Sequence, residues 1–278
     1  MSDTQRRPKD PRISVVIPAK NEARNLEIVL PELPSVHEVI LVDGTSVDGT
    51  VEVAQRLLPD IKVVHQTRRG KGNALACGFA AATGDIIVMF DADCSADPVE
   101  IPRFVAALLG GADFAKGTRF QPGGGSTDIT WLRGAGNRGL NLLANSMLRT
   151  SYTDLCYGYN AFWIDVLAHL DLPSPSIAEL TPNTAMIWGD GFEIETVINC
   201  RVAAAGLRVA EVPSFERPRV HGASNLNAVT DGLRVLKTIN AERRRARRMR
   251  PAGHRSAPVL PATAVATGPA VFDNEKTA

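Results

Sequence analysis

The sequence lacks the features that mark several common protein classes. Its 278 residues carry a net charge of +1, so no excess of positive charge points to nucleic acid as a partner. The four cysteines, at positions 77, 94, 156 and 200, show no CxxC spacing and no disulfide framework. That pattern favours a reducing compartment. The five histidines are too scattered to indicate a structural zinc site.

Long apolar runs are also missing. The segment MSDTQRRPKDPR at the start is polar and lacks the apolar core of a signal peptide. The most apolar late stretch, 259–272, is interrupted by three Pro or Gly residues and is too short to span a bilayer. We therefore expect a cytoplasmic protein, at most peripheral at the inner face of the membrane.

The first part of the chain alternates between short apolar runs and helical stretches. Apolar runs predict strands at 13–18, 38–43, 61–66, 85–91 and 112–118. The stretches between them predict helices at 22–33, 48–58, 71–82 and 98–109. Because the apolar runs are continuous, the strands are covered on both faces, as in a parallel sheet. The strand–helix repeat therefore predicts a doubly wound α/β domain with a mostly parallel sheet.

The second part is less regular. It predicts helices at 134–149, 192–206 and 227–248, a strand at 207–213, and a strand with a bent entry within 154–167. We divide the chain into a flexible N-terminus (1–12), one domain (13–240), a basic helix end (241–250) and a disordered tail (251–278). Six arginines within 243–250 either bind an anionic membrane surface or form a solvated helix end.

Polar side chains follow four consecutive predicted strands. Glu22 follows the first, Asp43 the second, Lys71 the third, and Asp91 and Asp93 the fourth. Ligands of open parallel sheets bind at the carboxyl ends of the strands, so these residues predict a binding site.

The pair Asp91-Ala92-Asp93 predicts a cation site. Two carboxylates one residue apart at a strand end can hold Mg²⁺ or Mn²⁺, which typically bridge substrate phosphates. The same pattern also occurs in solvated turns and helix caps, but the strand before it favours the metal. Asp97, directly before Pro98, is interpreted as a structural helix cap.

Two other strand ends allow a functional and a structural interpretation. Asp43 suits recognition of a base or ribose, or it closes a turn in which Asp48 caps the next helix. Arg69-Gly-Lys71-Gly precedes a helix, where N–H groups and a lysine can meet phosphate, or it is a basic solvated turn. The P-loop pattern GxxxxGK[ST] is absent.

Several sequence motifs resemble those of one protein family and follow one another along the chain. They are VVIPAKNEARNL, ILVDGTSVDGT, RRGKGNALACG, IIVMFDADCSADP, GTRF, TDLCYGYNAF, GFEIET and EVPSFERPRVHGASNL. Over about 13–240 they resemble glycosyltransferase family 2, in particular its polyprenol-phosphate mannosyl- or glucosyltransferase-like branch. The resemblance implies a GT-A fold, a Rossmann-like three-layer α/β/α sandwich, and a nucleotide-sugar donor.

The resemblance also implies roles for residues at matching positions. The nucleotide-sugar pocket is formed by Pro18, Glu22, Asp43, Lys71 and Asp91, and the metal is held by Asp91 and Asp93. The positions implied to face phosphates or an anionic acceptor are Arg119 and Arg219, and those on the acceptor side are Asp154 and Gly158. Asn225 departs from the branch, which often carries a lysine there, and this weakens the case for a polyprenyl phosphate acceptor.

A hydroxyl acceptor would require a catalytic base, and the best source is the cluster of Asp190, Glu193 and Glu195 at the start of the predicted helix 192–206. The spacing of Asp190 and Glu193 is also that of a capping box, in which both would only satisfy helix N–H groups. Glu195 points away from Glu193 on a helix and is interpreted as the buried partner of an arginine. A phosphate acceptor would need no base.

Together these features predict transfer of a hexose from a GDP- or UDP-sugar by metal-assisted inverting displacement. The acceptor is a polyprenyl phosphate or a glycan or polysaccharide precursor. Two alternatives are a sugar-phosphate nucleotidyltransferase and a non-catalytic nucleotide-sugar-binding protein. The first usually has a Gly-rich GxGTR-type loop where this chain has PAKNE, and the intact pair of acids argues against the second.

Overall fold

The computed structural model describes residues 7–127, 129, 131–176, 186–222 and 228–249. The strands are β1 (Ile13–Ala19), β2 (Glu38–Asp43), β3 (Lys62–His65), β4 (Ile86–Met89), β5 (Phe114–Thr118), β6 (Gly125–Ser126), β7 (Asn160–Trp163), β8 (Val209–Pro213) and β9 (Phe215–Glu216). Seven of them form one sheet in the order β3-β2-β1-β4-β7-β5-β8, and β6 pairs with β9 separately.

The large sheet is parallel except at β7, which runs antiparallel to both β4 and β5. Its core is formed by apolar runs such as 15–17 in β1 and 86–88 in β4, whose side chains are all 0% exposed. These buried strands confirm the predicted α/β fold with a mostly parallel sheet. The chain builds β1, β2 and β3 outward and then returns to place β4 beside β1. The reversal lies at the carboxyl ends of β1 and β4, which is where open α/β sheets form the crevice that binds their ligands.

The helices are α1 (Ala23–Glu32), α2 (Thr50–Leu57), α3 (Lys71–Ala81), α4 (Ile101–Leu109), α5 (Trp131–Leu148), α6 (Leu167–Leu170), α7 (Ile194–Ala205) and α8 (Ala228–Met249). Helix α3 is buried without interruption from Gly72 to Phe79 and packs against β1 and β2. A side chain at Gly78 would place its Cβ 2.3 Å from Val16, so glycine permits this close approach. Of the helices in the described part of the chain, none has the length and apolar character needed to cross a membrane.

The structure differs from the sequence prediction at the start of the domain. Within the segment predicted as flexible, Arg7 pairs with Asp113 at 2.5 Å and with Asp165 at 3.0 Å. The backbone N–H of Arg12 donates to Asp85 at 2.8 Å. Residues 7–12 are therefore attached to the domain by ion pairs and hydrogen bonds. The tail predicted at 251–278 lies outside the described residues.

Asp48 caps two helices where the sequence predicts one. The N-cap position of α2 is Gly49, with φ of 84°, and Asp48 accepts from the N–H of Thr50 at 3.1 Å. The other carboxylate oxygen of Asp48 accepts from the N–H of Ala23, the first residue of α1, at 3.1 Å. One side chain thus connects the first turns of both helices. Partial burial raises the pKa of Asp48, but the hydrogen bond from the Thr50 hydroxyl, together with those from the two N–H groups, outweighs it and holds the pKa below its ordinary value of 3.8.

We expect Asp48→Ala to lower the free energy of unfolding by about 1 kcal/mol, because two helix N-termini lose a cap. Urea denaturation at neutral pH measures this, with the exposed Asp60→Ala as a control expected to change stability by less than about 0.5 kcal/mol. Since the folded-state pKa is depressed, the contribution is present above pH 3.8 and is lost as the pH falls through the folded-state pKa. A difference between wild type and variant that stays constant below that pH would contradict this role.

Candidate active site

The predicted site residues converge on the crevice between β1 and β4. Glu22 follows β1, and Asp91 and Asp93 follow β4 after Phe90, whose N–H still bonds to Val16 of β1 at 3.0 Å. Lys71 is the first residue of α3, and Arg219 follows β9. The fold therefore brings together acids and bases that lie far apart in sequence.

Asp91 belongs to a cluster with Lys71 and Glu195. The ammonium of Lys71 lies 2.7 Å from Asp91 Oδ1 and 2.7 Å from Glu195 Oε1. A Cβ at Gly158 would lie 3.2 to 3.3 Å from all three side chains, so glycine leaves room for the cluster. Burial alone would lower the pKa of Lys71, but the charges of Asp91 and Glu195 outweigh it and raise the pKa. Lys71 therefore remains an ammonium at neutral pH.

Asp93 belongs to a second cluster with Arg219 and Glu22. Asp93 Oδ2 accepts from Arg219 at 2.5 Å, and Oδ1 accepts from the N–H and hydroxyl of Ser95 at 3.1 and 2.6 Å. Arg219 also lies 3.5 Å from Glu22. Burial raises the pKa of Glu22 and outweighs the hydrogen bond from Asn25 and the charge of Arg219, which lower it. Two acids one residue apart thus each face a different basic side chain.

The two acids fit a divalent cation chemically. Asp91 and Asp93 offer hard oxygen ligands, and their side chains are 33% and 16% exposed. Across the ranges that the structure describes, no group of three or more His, Cys, Asp or Glu side chains is placed to hold a metal ion. A cation bound here would therefore complete its coordination with oxygen atoms of a substrate or water, which is the usual arrangement of Mg²⁺ beside phosphates.

Asp43 and Pro18 lie on neighbouring strands at the same edge. Asp43 ends β2 and is 4% exposed, and Pro18 of β1 pairs in register with Val42. The Asp43 carboxylate accepts from the N–H groups of Thr45 and Ser46 at 3.1 and 3.2 Å. Thr45 has a φ of 63°. Asp43 thus closes the turn after β2, and its role toward a nucleotide stays a prediction.

The acceptor-side residues form a third cluster at the carboxyl end of β5. Arg119 binds Asp154 through two hydrogen bonds of 2.7 and 2.9 Å and Glu216 through one of 3.0 Å. The guanidinium also lies 4.8 Å from the ring centre of Tyr157, and Asn137 donates to Asp154 at 3.3 Å. Two residues predicted separately, Arg119 and Asp154, are therefore direct partners. Gly158 joins the Lys71 cluster instead.

The acids proposed as bases are engaged in other contacts. Asp190 is 1% exposed and binds Arg68 at 2.7 and 2.9 Å. Glu193 is 7% exposed and accepts from the N–H groups of Gly189 and Gly191 at 3.1 and 3.2 Å. Asp190 and Glu193 do not form the capping box that their spacing allows, because α7 begins at Ile194 and no side chain caps its first turn.

The interpretation of Glu195 as the partner of an arginine is wrong, because Glu195 pairs with Lys71. Two other residues of these clusters lie within the quoted motifs, but the sequence analysis assigned them no role. Arg68 stands in the basic turn beside Arg69, and nothing local distinguishes the buried arginine from the exposed one. Glu216 binds Arg119 from a position 97 residues away, a separation at which the sequence carries no pairing signal.

Comparisons with known proteins identify the family of this chain. The family described as Glycosyl transferase family 2 matches residues 14–170. The polyprenol monophosphomannose synthase of Mycolicibacterium smegmatis is 31% identical over 228 residues, which cover 78% of this chain and 81% of that protein. The undecaprenyl-phosphate mannosyltransferase of Micrococcus luteus is 30% identical over 235 residues, which cover 81% of this chain and 91% of that protein.

Solved structures of glucosyl-3-phosphoglycerate synthase from Mycobacterium tuberculosis share the fold. The complex with Mn²⁺, UDP-glucose and glycerol 3-phosphate has a TM-score of 0.62 and 22% identity, covering 90% of this chain and 88% of that chain. The complex with Mg²⁺ and UDP has a TM-score of 0.59 and 21% identity, covering 84% and 79%. These likenesses confirm the predicted GT-A fold. With its family match over more than half of its length, the chain belongs to glycosyl transferase family 2 and is a glycosyltransferase.

Proposed function

We propose that this glycosyltransferase moves a hexose from a nucleotide-sugar donor to a polyprenyl phosphate, with Mg²⁺ or Mn²⁺ held by Asp91 and Asp93. The observation that carries the proposal is the pairing of each acid with a separate basic side chain at the β1/β4 crevice. Lys71 stands against Asp91 at 2.7 Å and Arg219 against Asp93 at 2.5 Å. Alternating acids and bases of this kind suit a cation together with a diphosphate.

The residues of the crevice have separate tasks in this proposal. A divalent cation bound to Asp91 and Asp93 would neutralise the charge that develops on the leaving nucleoside diphosphate. Lys71 and Arg219 add positive charge to the same phosphates, and Gly158 leaves space beside Lys71. The acceptor attacks the anomeric carbon from the face opposite the leaving group, so the configuration inverts.

A phosphate acceptor is supported by the state of the nearby acids. Asp190 is bound by Arg68, Glu193 by two backbone N–H groups, and Glu195 by Lys71. A hydroxyl acceptor needs a base to remove its proton, whereas a phosphate is already ionised near neutral pH. The two relatives described above, which are 31% and 30% identical to this chain, are named polyprenol monophosphomannose synthase and undecaprenyl-phosphate mannosyltransferase. Asn225, which departs from the branch, lies outside the described residues.

We also propose that the protein works at the inner face of the membrane, where a polyprenyl phosphate resides. The end of α8 carries the exposed arginines Arg244, Arg247 and Arg248. Each basic residue near an anionic lipid surface contributes about 1 kcal/mol to binding. The helix end is thus suited to hold the domain beside its acceptor.

The donor is tested by thermal shift with a panel of GDP- and UDP-sugars, with and without Mn²⁺. A ligand at one hundred times its Kd stabilises the folded state by about 2.7 kcal/mol. We therefore expect one class of nucleotide to raise the melting temperature by several degrees, and only with the metal present. An equal shift without Mn²⁺, in the presence of a chelator, would contradict the metal-dependent donor site.

The acceptor is tested with the donor identified in that screen. A short-chain polyprenyl phosphate should be glycosylated with release of nucleoside diphosphate, and NMR should show inversion at the anomeric carbon. Release of pyrophosphate would indicate nucleotidyl transfer instead. Transfer to a glycan precursor but never to the polyprenyl phosphate would overturn the proposed acceptor while keeping the donor site.

A further inference from the structure

The turn that carries Lys71 is attached to the turn before α7 by a buried ion pair. The side chains of Arg68 and Asp190 are 0% and 1% exposed. Arg68 Nε donates to Asp190 Oδ2 at 2.7 Å, and Nη2 donates to Oδ1 at 2.9 Å. Asp190 Oδ2 also accepts from the N–H of Ile187 at 3.0 Å. Both oxygens of this carboxylate are therefore engaged inside the protein.

The backbones of the two turns are also in contact. The N–H of Gly72 donates to the carbonyl of Asp190 at 2.7 Å. A Cβ at Gly70 would lie 2.1 Å from the Asp190 carbonyl oxygen, and one at Gly72 would lie 1.8 Å from that of Gly189. We call this arrangement of 68–72 against 189–190 the clasp. Lys71 therefore lies between two glycines whose backbone packs directly against residues 189–190.

The clasp positions both partners of one bridge. Lys71 belongs to the turn 68–72. Glu195 lies five residues after Asp190, in the first turn of α7. Glu193, between them, accepts from the N–H groups of Gly189 and Gly191 and so fixes the path from the clasp into α7. The resulting distance between Lys71 Nζ and Glu195 Oε1 is 2.7 Å.

We propose that Asp190 is a positioning residue: through Arg68 and the clasp it fixes the Lys71 ammonium beside Asp91, where the donor diphosphate binds. This inference rests on the proposed function, in which Lys71 adds charge to the phosphates. It assigns Asp190 no proton transfer, because the carboxylate faces Arg68 and not the crevice.

The test is a double-mutant cycle between Asp190→Asn and Lys71→Ala. The probes are UDP and GDP with Mn²⁺, and calorimetry measures their Kd. For the nucleotide that binds the wild type, Asp190→Asn should raise the Kd about tenfold. In the Lys71→Ala background Asp190→Asn should raise the Kd no further, because Asp190 acts through that lysine. The pH profile of turnover should keep its shape, which the loss of a base would change.

Two further variants keep the test decisive. Arg68→Lys retains a positive partner for Asp190 but loses the pair of parallel hydrogen bonds, so it should also weaken nucleotide binding. It replaces Asp190→Asn in the test where that variant is poorly folded. Asp113→Asn removes a carboxylate that Arg208 binds in a similar way at 3.1 and 3.0 Å, at the amino end of β5, and should leave the Kd unchanged.

Three outcomes would overturn the proposal. The first is an equal loss caused by Asp190→Asn in the wild-type and Lys71→Ala backgrounds. The second is an unchanged Kd with a collapsed turnover rate and an altered pH profile, which would make Asp190 a base. The third is a wild type that binds neither UDP nor GDP, which would refute the proposed function itself and the inference with it.

Discussion

Replacing Asp93 with alanine is expected to lower the rate of sugar transfer by about three orders of magnitude and to leave the fold intact. A loss of that size corresponds to about 4 kcal/mol of transition-state stabilisation. It is the scale on which a bound metal stabilises developing phosphate charge. The change also removes the acid 2.5 Å from Arg219, so only Glu22, at 3.5 Å, remains to hold the second positive charge that we propose for the phosphates.

The fold should survive because Asp93 lies in a partly exposed loop and not in the core. Turnover with the identified donor measures the effect, and circular dichroism and the melting temperature report the fold. Asp97→Ala is the matched control: Asp97 lies four residues away in the same loop, where it caps a short helix by accepting from the N–H of Val99 at 3.1 Å. The control should cost about 1 kcal/mol of stability and little activity. Full activity of Asp93→Ala in a strong metal chelator would refute the metal hypothesis.

The sequence predicted the first half of the domain well because its signals are local. Continuous apolar runs marked β1, β2 and β4, and the polar residues directly after them marked the edge of the sheet where the site lies. For β7 the sequence predicted only a strand with a bent entry somewhere within 154–167. Its four residues pair antiparallel between two parallel strands, and neither their number nor their composition encodes a direction.

The pairings within the site were harder to predict than its residues. Asp91, Asp93, Lys71 and Arg219 were all named from sequence, yet which acid faces which base follows from the packing of separate elements. Glu195 illustrates the difficulty, since its burial was foreseen but its partner is a lysine 124 positions earlier. Arg68 and Asp190 are 122 positions apart, so the clasp is a property of the folded domain alone.

The largest stability effect is expected at Gly72. In the Gly72→Ala variant the new Cβ would lie 1.8 Å from the carbonyl oxygen of Gly189 and 3.0 Å from the carbonyl carbon of Asp190. Both atoms belong to backbone that is already fixed by the Gly72 N–H bond to the Asp190 carbonyl at 2.7 Å, so no flexible side chain can move away. We expect the free energy of unfolding to fall by about 3 kcal/mol, at the upper end of overpacking effects.

Gly139→Ala in α5 is the matched control for this substitution. Gly139 is exposed in the helix, and apart from its chain neighbours and the backbone of its own helix no heavy atom of the described residues lies within 4 Å of the position of its added Cβ. Alanine should therefore stabilise the protein by about 0.5 to 1 kcal/mol through helix propensity alone. Denaturant unfolding compares the two variants directly, and a Gly72→Ala protein as stable as Gly139→Ala would mean that the two turns are not in contact. Through the same contact Gly72→Ala displaces Lys71, so the folded fraction of this variant should bind nucleoside diphosphate more weakly than wild type.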